Sequence, residues 1–238
     1  GKGKLLVGDS IHQFSKGDIY VIGSNLPHIF KSIPGELNAH MVTVFFTENT
    51  FGTDFFKLPY FKDLQSFFYN SNCGFKVLSG EKRISDSILK LSTQDKLDRF
   101  VSFLQLLEQL STVAIEPLSK FIYSKTLTSN EGERLQVIFD YVFKNFQKPI
   151  ALEEISKMAF MTPNAFCRFF KQRTNKTFFQ FLIELRVEHA CQLLSSKREL
   201  NINLISDLSG FNSISNFNKK FKKIKGVTPT KYQQSIFI

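Results

Sequence analysis

The feature that most constrains the fold is a short aromatic and basic phrase that occurs twice near the end of the chain. Its first copy is Ala165-Phe-Cys-Arg-Phe-Phe-Lys171, and its second copy is Asn216-Phe-Asn-Lys-Lys-Phe-Lys222. The likeness continues on both sides of the phrase: Ile155 corresponds to Ile205 if the second copy has one extra residue in its turn, and Phe181 corresponds to Tyr232. Two repeats are too few for a solenoid, which needs three or more to bury a continuous core. The repeat therefore predicts a tandem pair of small helical modules.

The positive charge of the chain is concentrated in the half that holds the repeat. The net charge is +10, from 31 basic and 21 acidic residues, and residues 131–238 contribute +8 of it. Such an excess favours an anionic partner, either nucleic acid or a membrane surface. No apolar run reaches the roughly 20 residues that span a membrane, and the chain does not start like a signal peptide. We therefore expect a cytoplasmic protein with no membrane contact.

The cysteines give no sign of a metal or a disulfide framework. Cys73, Cys167 and Cys191 lie far apart and form no CxxC pair, which fits a reducing compartment. We expect three buried or half-buried free thiols. No Ser/His/Asp or Cys/His arrangement stands out in the sequence, so we expect no catalytic residue and no enzyme.

Short apolar runs separated by turn signals predict strands in residues 1–50. The runs cover residues 5–7, 19–22 and 41–46, and one of the turn signals is Ile33-Pro-Gly35. Regular short strands are typical of a β-barrel or sandwich, and about five strands fit here, fewer than the eight of a jelly roll. Because the first residue is Gly and the barrel is incomplete, we expect a partial barrel whose N-terminal strands are missing from this chain.

The pattern becomes helical in residues 51–123, which we interpret as the second part of the same domain. Helices are predicted at residues 55–68 and 84–91. An apolar stripe with 3.6-residue spacing over residues 97–110 predicts an amphipathic helix that faces either the domain's own core or a second copy of the chain. Residues 124–132 are polar and aperiodic, which predicts a linker.

Residues 133–238 predict an all-helical domain with clear start and stop signals. Thr162 followed by Pro163 is a strong helix start, and Gly210 suits a left-handed C-cap. The predicted helices cover residues 133–145, 152–159, 162–174, 178–194, 201–209 and 213–225, with a final turn from Thr228. The fold class is thus α+β, with a partial barrel and helices followed by an all-α domain.

Each repeated unit has the order of a helix-turn-helix: a short helix, a tight turn and a longer helix that starts with polar and basic residues. In such units the second helix enters the major groove of DNA with its N-terminal residues toward the base edges. Amide and guanidinium groups can bond adenine or guanine, and small side chains permit close approach. The predicted DNA contacts are Thr162, Asn164, Ala165, Arg168, Lys171, Ser213, Ser215, Asn216, Lys219, Lys220 and Lys223.

Other residues of the two helices are predicted to hold the phosphate backbone or the core. Cations further along each helix suit phosphates, which give affinity but no sequence information. These cations are Lys171, Arg173, Lys220, Lys222, Lys223 and Lys225. Phenylalanines that recur at i and i+3 or i+4 predict core, namely Phe166, Phe169 or Phe170, Phe217 and Phe221. The connecting helix is roughly 25 Å long, which predicts recognition helices close to one DNA turn, about 34 Å, apart.

Residues 134–234 resemble the DNA-binding domain of AraC-type transcription regulators. The resemblance is carried by Leu152-Glu-Glu-Ile-Ser-Lys-Met-Ala159, Ser209-Gly-Phe-Asn212 and Phe221-Lys-Lys-Ile-Lys-Gly-Val-Thr-Pro-Thr-Lys-Tyr232. It implies a bacterial regulator in which a rigid helix joins two units that read adjacent major grooves of double-stranded DNA. It also implies an activator that meets RNA polymerase. One departure is Phe160, where the family often has glycine or a small polar residue, so we expect a strained first turn.

Part of the first domain resembles the later strands of the cupin barrel that precedes this domain in many such regulators. The resemblance rests on Gly8-Asp9, Gly17-Asp-Ile-Tyr-Val-Ile-Gly23 and Asn25-Leu-Pro-His28. It implies that the domain senses a small-molecule effector, forms a homodimer, or does both. The residues that would hold an effector stay unknown.

Three histidines are candidate metal ligands in such a barrel, namely His12, His28 and His40. The paired His-x-His with a downstream Glu that cupin metal sites need is absent, so we expect no metal and no cofactor. Two alternatives to a sequence-specific regulator stay open. One is a cupin-type enzyme or metal-binding protein with an accessory DNA-binding module, and the other is a non-specific architectural DNA binder.

Overall fold

A computed structural model describes residues 1–32, 40–122, 127–197 and 199–236. The chain divides into two compact units, Gly1–Thr126 and Leu127–Ile238. The predicted turn at Ile33-Pro-Gly35 and the linker residues 124–126 lie outside the described residues.

The first unit contains two small antiparallel sheets. Its strands are β1 (Gly3–Val7), β2 (Ser10–Phe14), β3 (Tyr20–Val21), β4 (His28–Ser32), β5 (Phe75–Val77) and β6 (Ile115–Pro117). One sheet has the order β2-β1-β4 and the other β3-β5-β6. In the first sheet Leu5 lies opposite His12 and Phe30. Leu5 and Val7 are on the same side of β1 and pack with Leu118, because side chains two residues apart share a face of a strand.

The predicted strand at residues 41–46 is wrong. The segment has no regular secondary structure, and no described strand pairs with it. A strand needs a hydrogen-bonded neighbour, and apolar composition alone does not provide one. Phe45 is 89% exposed, whereas Phe46 packs edge-on against Phe103 with ring centroids 4.9 Å apart. The segment is therefore attached to the domain through single side chains.

Helices complete the first unit. Short 3₁₀ helices at Phe55–Lys57 and Pro59–Leu64 precede α1 (Gln65–Ser71), α2 (Glu81–Leu91) and α3 (Lys96–Thr112). The predicted continuous helix over residues 55–68 is thus broken, because Pro59 cannot continue the preceding turn.

The apolar stripe predicted on α3 is confirmed as a core face only in its C-terminal part. Phe103, Leu107 and Leu110 are buried in the core, together with Leu106. Leu97 is 71% exposed and Val101 is 45% exposed, so the N-terminal part of the predicted stripe does not face the core. The aromatic ring of Phe103 sets the buried face, and it lies outside the stripe.

The second unit is helical throughout its described part. Its helices are α4 (Ser129–Asn145), α5 (Leu152–Met158), α6 (Pro163–Thr174), α7 (Phe178–Ser196), α8 (Ile202–Leu208), α9 (Ile214–Lys225) and α10 (Pro229–Ile236). Every predicted helix of this region is confirmed, with boundary shifts of a few residues. One boundary differs more, since α4 begins inside the predicted linker. Thr128 and Glu131 form a capping box there, which satisfies backbone N–H groups at the start of the helix.

Aromatic residues fill two cores in the second unit, as the repeat predicts. In the first, Phe166 and Phe170 pack against Phe178 with ring centroids 5.4 and 5.5 Å away. In the second, Phe217 and Phe221 pack together with centroids 5.6 Å apart. All four of these repeated phenylalanines are fully buried, and Phe169 is nearly so.

Candidate nucleic-acid interface

Each helix-turn-helix has one turn between its two helices, after α5 in the first and after α8 in the second. These two turns have the same backbone geometry. After α5, the N–H of Met161 donates to Ser156 at 2.9 Å. After α8, the N–H of Phe211 donates to Ser206 at 3.1 Å. This bond from the residue beyond the turn back to the third-last helical residue defines a Schellman motif, which places one residue in the left-handed conformation.

The residue in the left-handed conformation differs between the two helix-turn-helix modules. It is Phe160, with φ of 54°, in the first turn and Gly210, with φ of 83°, in the second. The predicted left-handed C-cap at Gly210 is confirmed. A residue with a Cβ costs roughly 1–2 kcal/mol in this conformation, so the first turn carries the strain that its sequence predicts. The ring of Phe160 is 87% exposed and offsets little of that cost by burial.

The ends of the two longer helices also match. The hydroxyls of Thr162 and Ser213 accept a hydrogen bond from the backbone three residues on and cap α6 and α9. Each hydroxyl keeps its own hydrogen as a donor. At the other end, Asn175 and Gly226 both adopt the left-handed conformation and stop the helix. The repeat thus covers the whole unit, from the first cap to the last.

The predicted contact residues of α6 share one exposed face. Asn164, Arg168 and Lys171 are exposed and follow each other at spacings of four and three residues, which places them on one side of a helix. Ala165 is half-buried beside them. Gln172 is exposed four residues after Arg168, on the same face, and the sequence prediction missed it. Its helical spacing from Arg168 was the available signal.

The second helix presents the corresponding face. Ser215, Asn216, Lys219 and Lys223 are exposed on α9, and Lys220 lies half-buried at the edge of the face. Lys222 is also exposed, and corresponds in the repeat to Lys171 of the first helix. Neither α6 nor α9 contains an acidic residue. The two faces are therefore polar and cationic without a compensating negative charge on the same helix.

Two cations that the sequence assigned to phosphates are paired within the protein. Arg173 forms an ion pair with Glu131 of α4, and Lys225 forms one with Glu188 of α7. The hydrogen bond from Arg173 lowers the pKa of Glu131. The phosphate assignment of Arg173 and Lys225 is wrong, because a nearby carboxylate holds each of them. Both pairs fix the C-terminal part of a recognition helix to the helix two places before it in the chain, α4 for α6 and α7 for α9.

The cysteines differ from the prediction at one position. Cys191 is buried and Cys73 is half-buried, but Cys167 is exposed on α6. The expectation of a buried or half-buried thiol is therefore wrong for Cys167.

Within the parts of the chain that the structure describes, no three His, Cys, Asp or Glu side chains gather into a group that could hold a metal ion. His12 lies 2.7 Å from the carbonyl of Leu118, and His28 lies 3.0 Å from that of Leu26. No described helix combines the length and the hydropathy needed to cross a membrane.

Comparison with known proteins agrees with this geometry. Residues 155–235 match the family model described as a helix-turn-helix domain. The chain is similar to the probable transcriptional regulator LumQ of Photobacterium leiognathi, with 25% identity over 235 residues, which cover 98% of this chain and 86% of LumQ. It is also similar to YdeC of Bacillus subtilis, an uncharacterized helix-turn-helix-type transcriptional regulator. That match has 29% identity over 104 residues, which are 44% of this chain and 35% of YdeC.

Among solved structures, the chain is similar to the DNA-binding domain of AdpA, a global transcriptional factor solved in complex with a target DNA. The identity is 22%, the match covers 43% of this chain and 91% of that one, and the TM-score is 0.41. The family match and the similarity to LumQ together show that residues 155–235 form a helix-turn-helix domain and that the chain is a DNA-binding transcription regulator.

Proposed function

We propose that the chain is a sequence-specific regulator that places α6 and α9 in two successive major grooves on one side of the DNA. The observation that carries this proposal is the recurrence of one exposed polar and cationic face at the same register of both helices. Recognition helices of this class direct their N-terminal residues to base edges. Asn164, Ala165 and Arg168 of the first helix and Ser215, Asn216 and Lys219 of the second are the proposed base contacts.

The remaining predicted contacts suit the phosphate backbone. The capping hydroxyls of Thr162 and Ser213 stand at helix N-termini, which bind anions readily. Lys171, Lys220 and Lys223 follow later on their helices, and exposed Gln172 and Lys222 extend the same two faces. These contacts position the helices on the duplex without reading its sequence.

The length of α7 supports the two-groove arrangement. Its 19 residues correspond to about 28 Å. The C-terminus of α6 leads into its start, and α8 and α9 follow its end. Successive major grooves on one side of a duplex lie about 34 Å apart. One continuous helix of this length is therefore suited to hold two recognition helices one DNA turn apart.

The first unit is proposed to regulate this binding. The similarity to LumQ extends over 98% of the chain, which supports the same two-part organisation in a transcriptional regulator. We propose that the first unit responds to a small-molecule effector in a cupin-like fold. Exposed Leu97 and Val101 on α3 favour homodimerisation through that helix. Activation through contact with RNA polymerase, in the cytoplasm and without catalysis, completes the proposal.

A binding experiment with matched asparagine variants tests the proposed base contacts. Fluorescence anisotropy of the full chain is compared on a duplex selected by the wild-type protein from a random library and on random duplex. We expect Asn216→Ala to lower the preference for the selected duplex by about tenfold or more, since one bidentate base contact is worth about 1–3 kcal/mol. Its affinity for random duplex should stay unchanged.

The control variant is Asn130→Ala, which makes the same chemical change at an exposed position of α4 outside both recognition helices. It should keep the wild-type preference. If the wild-type chain shows only a steep salt dependence and no preference for the selected duplex, it is a non-specific DNA binder and the proposal fails.

A further inference from the structure

The connection between α4 and α5 makes an unexpected set of contacts with the second half of the helical unit. Residues 146–148, which we name the corner, follow the last residue of α4. The guanidinium of Arg186, in the middle of α7, donates through Nε to the carbonyl of Phe146 at 2.7 Å. Its Nη2 donates to the carbonyl of Lys148 at 2.8 Å. One planar side chain thus holds two backbone carbonyls of the corner in a fork.

This fork is partly removed from water. Arg186 is half-buried, and burial lowers the pKa of its guanidinium from the ordinary value. The ring of Phe146 packs edge-on against His189, one turn further along α7, with centroids 5.1 Å apart. A buried cation is costly unless its hydrogen bonds are made, so the corner cannot leave Arg186 without a loss of stability.

The corner also reaches the turn of the second helix-turn-helix. Nε2 of Gln147 donates to the carbonyl of Leu208, the last residue of α8, at 2.8 Å. Carbonyls at the end of a helix have no partner within it, so this bond satisfies one of them. Gly210 lies so close to the corner that a Cβ there would stand 2.8 Å from both the Cα and the carbonyl oxygen of Gln147.

These contacts explain why the two turns of the repeat differ. The second turn needs glycine for its left-handed backbone and also for the close approach of Gln147. The first turn holds Phe160, whose ring is 87% exposed, so this position accommodates a Cβ and a whole ring. The difference between the copies therefore coincides with the close contact that Gly210 of the second helix-turn-helix makes with the corner.

The corner belongs in sequence to the first helix-turn-helix, because it leads directly into α5 and α6. The second helix-turn-helix already packs on the C-terminal half of α7, through Val187, Leu194 and Phe217 among others. A group of helices that packs on one helix can still rotate about it. A contact from a second direction, at the turn between α8 and α9, removes that freedom.

We propose that the corner, through Gln147 and Arg186, fixes the orientation of α9 around α7 relative to that of α6. It thereby determines how many base pairs separate the two sequences that the protein reads. This inference rests on the proposed two-groove binding and adds the residues that set its spacing.

Spacing variants of the DNA test the proposal with the full chain. The probe is the library-selected duplex, altered by inserting or deleting one base pair between the two preferred sequences. One base pair shifts a groove by about 3.4 Å and rotates it by about 34°. We expect the wild-type chain to lose affinity by about tenfold on either altered duplex, which corresponds to one poorly made contact.

Gln147→Ala and Arg186→Lys should relax this discrimination to about threefold or less, because the lysine ammonium cannot hold both carbonyls in a fork. The matched control is Lys148→Ala, since the hydrogen bonds of Lys148 at the corner are made by its backbone N–H and carbonyl. It should keep the tenfold discrimination. Hydrogen exchange of α8 and α9 confirms that each variant is folded, and Arg186→Lys provides a second variant if Gln147→Ala is unstable.

The possible results separate the two proposals. If the wild-type chain is indifferent to spacing, two-groove binding fails, and the positioning role fails with it. If the wild-type chain discriminates and both corner variants discriminate equally well, only the positioning role is overturned. A uniform loss of affinity on all three duplexes also overturns it, because that is the result of a purely structural contact.

Discussion

Replacement of Gly210 by alanine should destabilise the second helix-turn-helix far more than the same side chain does at the equivalent position of the first. Gly210 has φ of 83° and is buried. An alanine Cβ there would stand 2.8 Å from the Cα and carbonyl oxygen of Gln147 and 2.9 Å from its carbonyl carbon. These are backbone atoms, so the contact cannot be relieved by turning a side chain.

The size of the effect follows from three contributions. The left-handed conformation costs a residue with a Cβ about 1–2 kcal/mol. Forcing one methyl group into a packed site costs about 1–3 kcal/mol. Alanine recovers about 0.4–1 kcal/mol because it restricts the unfolded chain. The net destabilisation therefore lies between about 1 and 5 kcal/mol, with a central value of about 3 kcal/mol.

Hydrogen exchange measured by mass spectrometry is the suitable assay, because it resolves the two units of the full chain. The protein contains no tryptophan, so intrinsic fluorescence offers no comparable local probe. Gly210→Ala should lower the protection of α8 and α9 and leave α1–α3 unchanged. Phe160→Ala is the matched control, since that position is already left-handed and its ring is largely exposed. Equal effects of the two substitutions would refute the close approach of Gln147.

Four further predictions concern the caps, an ion pair and the charge of the interface. Phe160→Gly should raise the thermal midpoint, because it removes about 1–2 kcal/mol of backbone strain. The greater flexibility of glycine in the unfolded chain offsets about 0.5–1 kcal/mol of this gain. Thr177→Ala removes the capping box of α7 and should cost about 1–2 kcal/mol in urea denaturation. Arg173 lowers the pKa of Glu131, so this carboxylate stabilises fully at neutral pH. That stabilisation is lost as the pH falls below the ordinary value of 4.5, and Glu131→Gln should reduce the acid sensitivity of unfolding. Lys223→Ala should reduce the slope of log affinity against log salt by about 0.9, the value of one phosphate contact.

The helices of the second unit could be predicted because interactions between residues close in sequence determine where they begin and end. Thr162 before Pro163, Ser213, and Gly226 act through their own backbone neighbours, so the sequence around each is sufficient. The contact face could be predicted from helical spacing. Buried Phe166 and Phe217 show which side of each helix faces the core, so the opposite side is the exposed one.

What the sequence could not predict depends on residues far apart in the chain. Arg173 looked like a phosphate contact because its partner Glu131 lies 42 positions earlier. The bond from Gln147 to Leu208 spans 61 positions. In the first unit, residues 41–46 have the composition of a strand, but pairing depends on a neighbour that composition does not reveal. The α3 stripe was confirmed at Leu107 and Leu110 but not at Leu97 and Val101, since Phe103 and the core around it decide which face is buried.

Selection of binding sites from a random duplex library, with wild-type protein and with Arg168→Ala and Asn216→Ala, tests the central claim most directly. Two recognition helices in successive grooves predict two short stretches of base preference, about 10 base pairs apart. Arg168→Ala should erase the preference in one stretch and Asn216→Ala in the other, each leaving its neighbour intact. If both variants alter the same stretch, or neither alters any, the two helices do not read DNA separately and the account is contradicted.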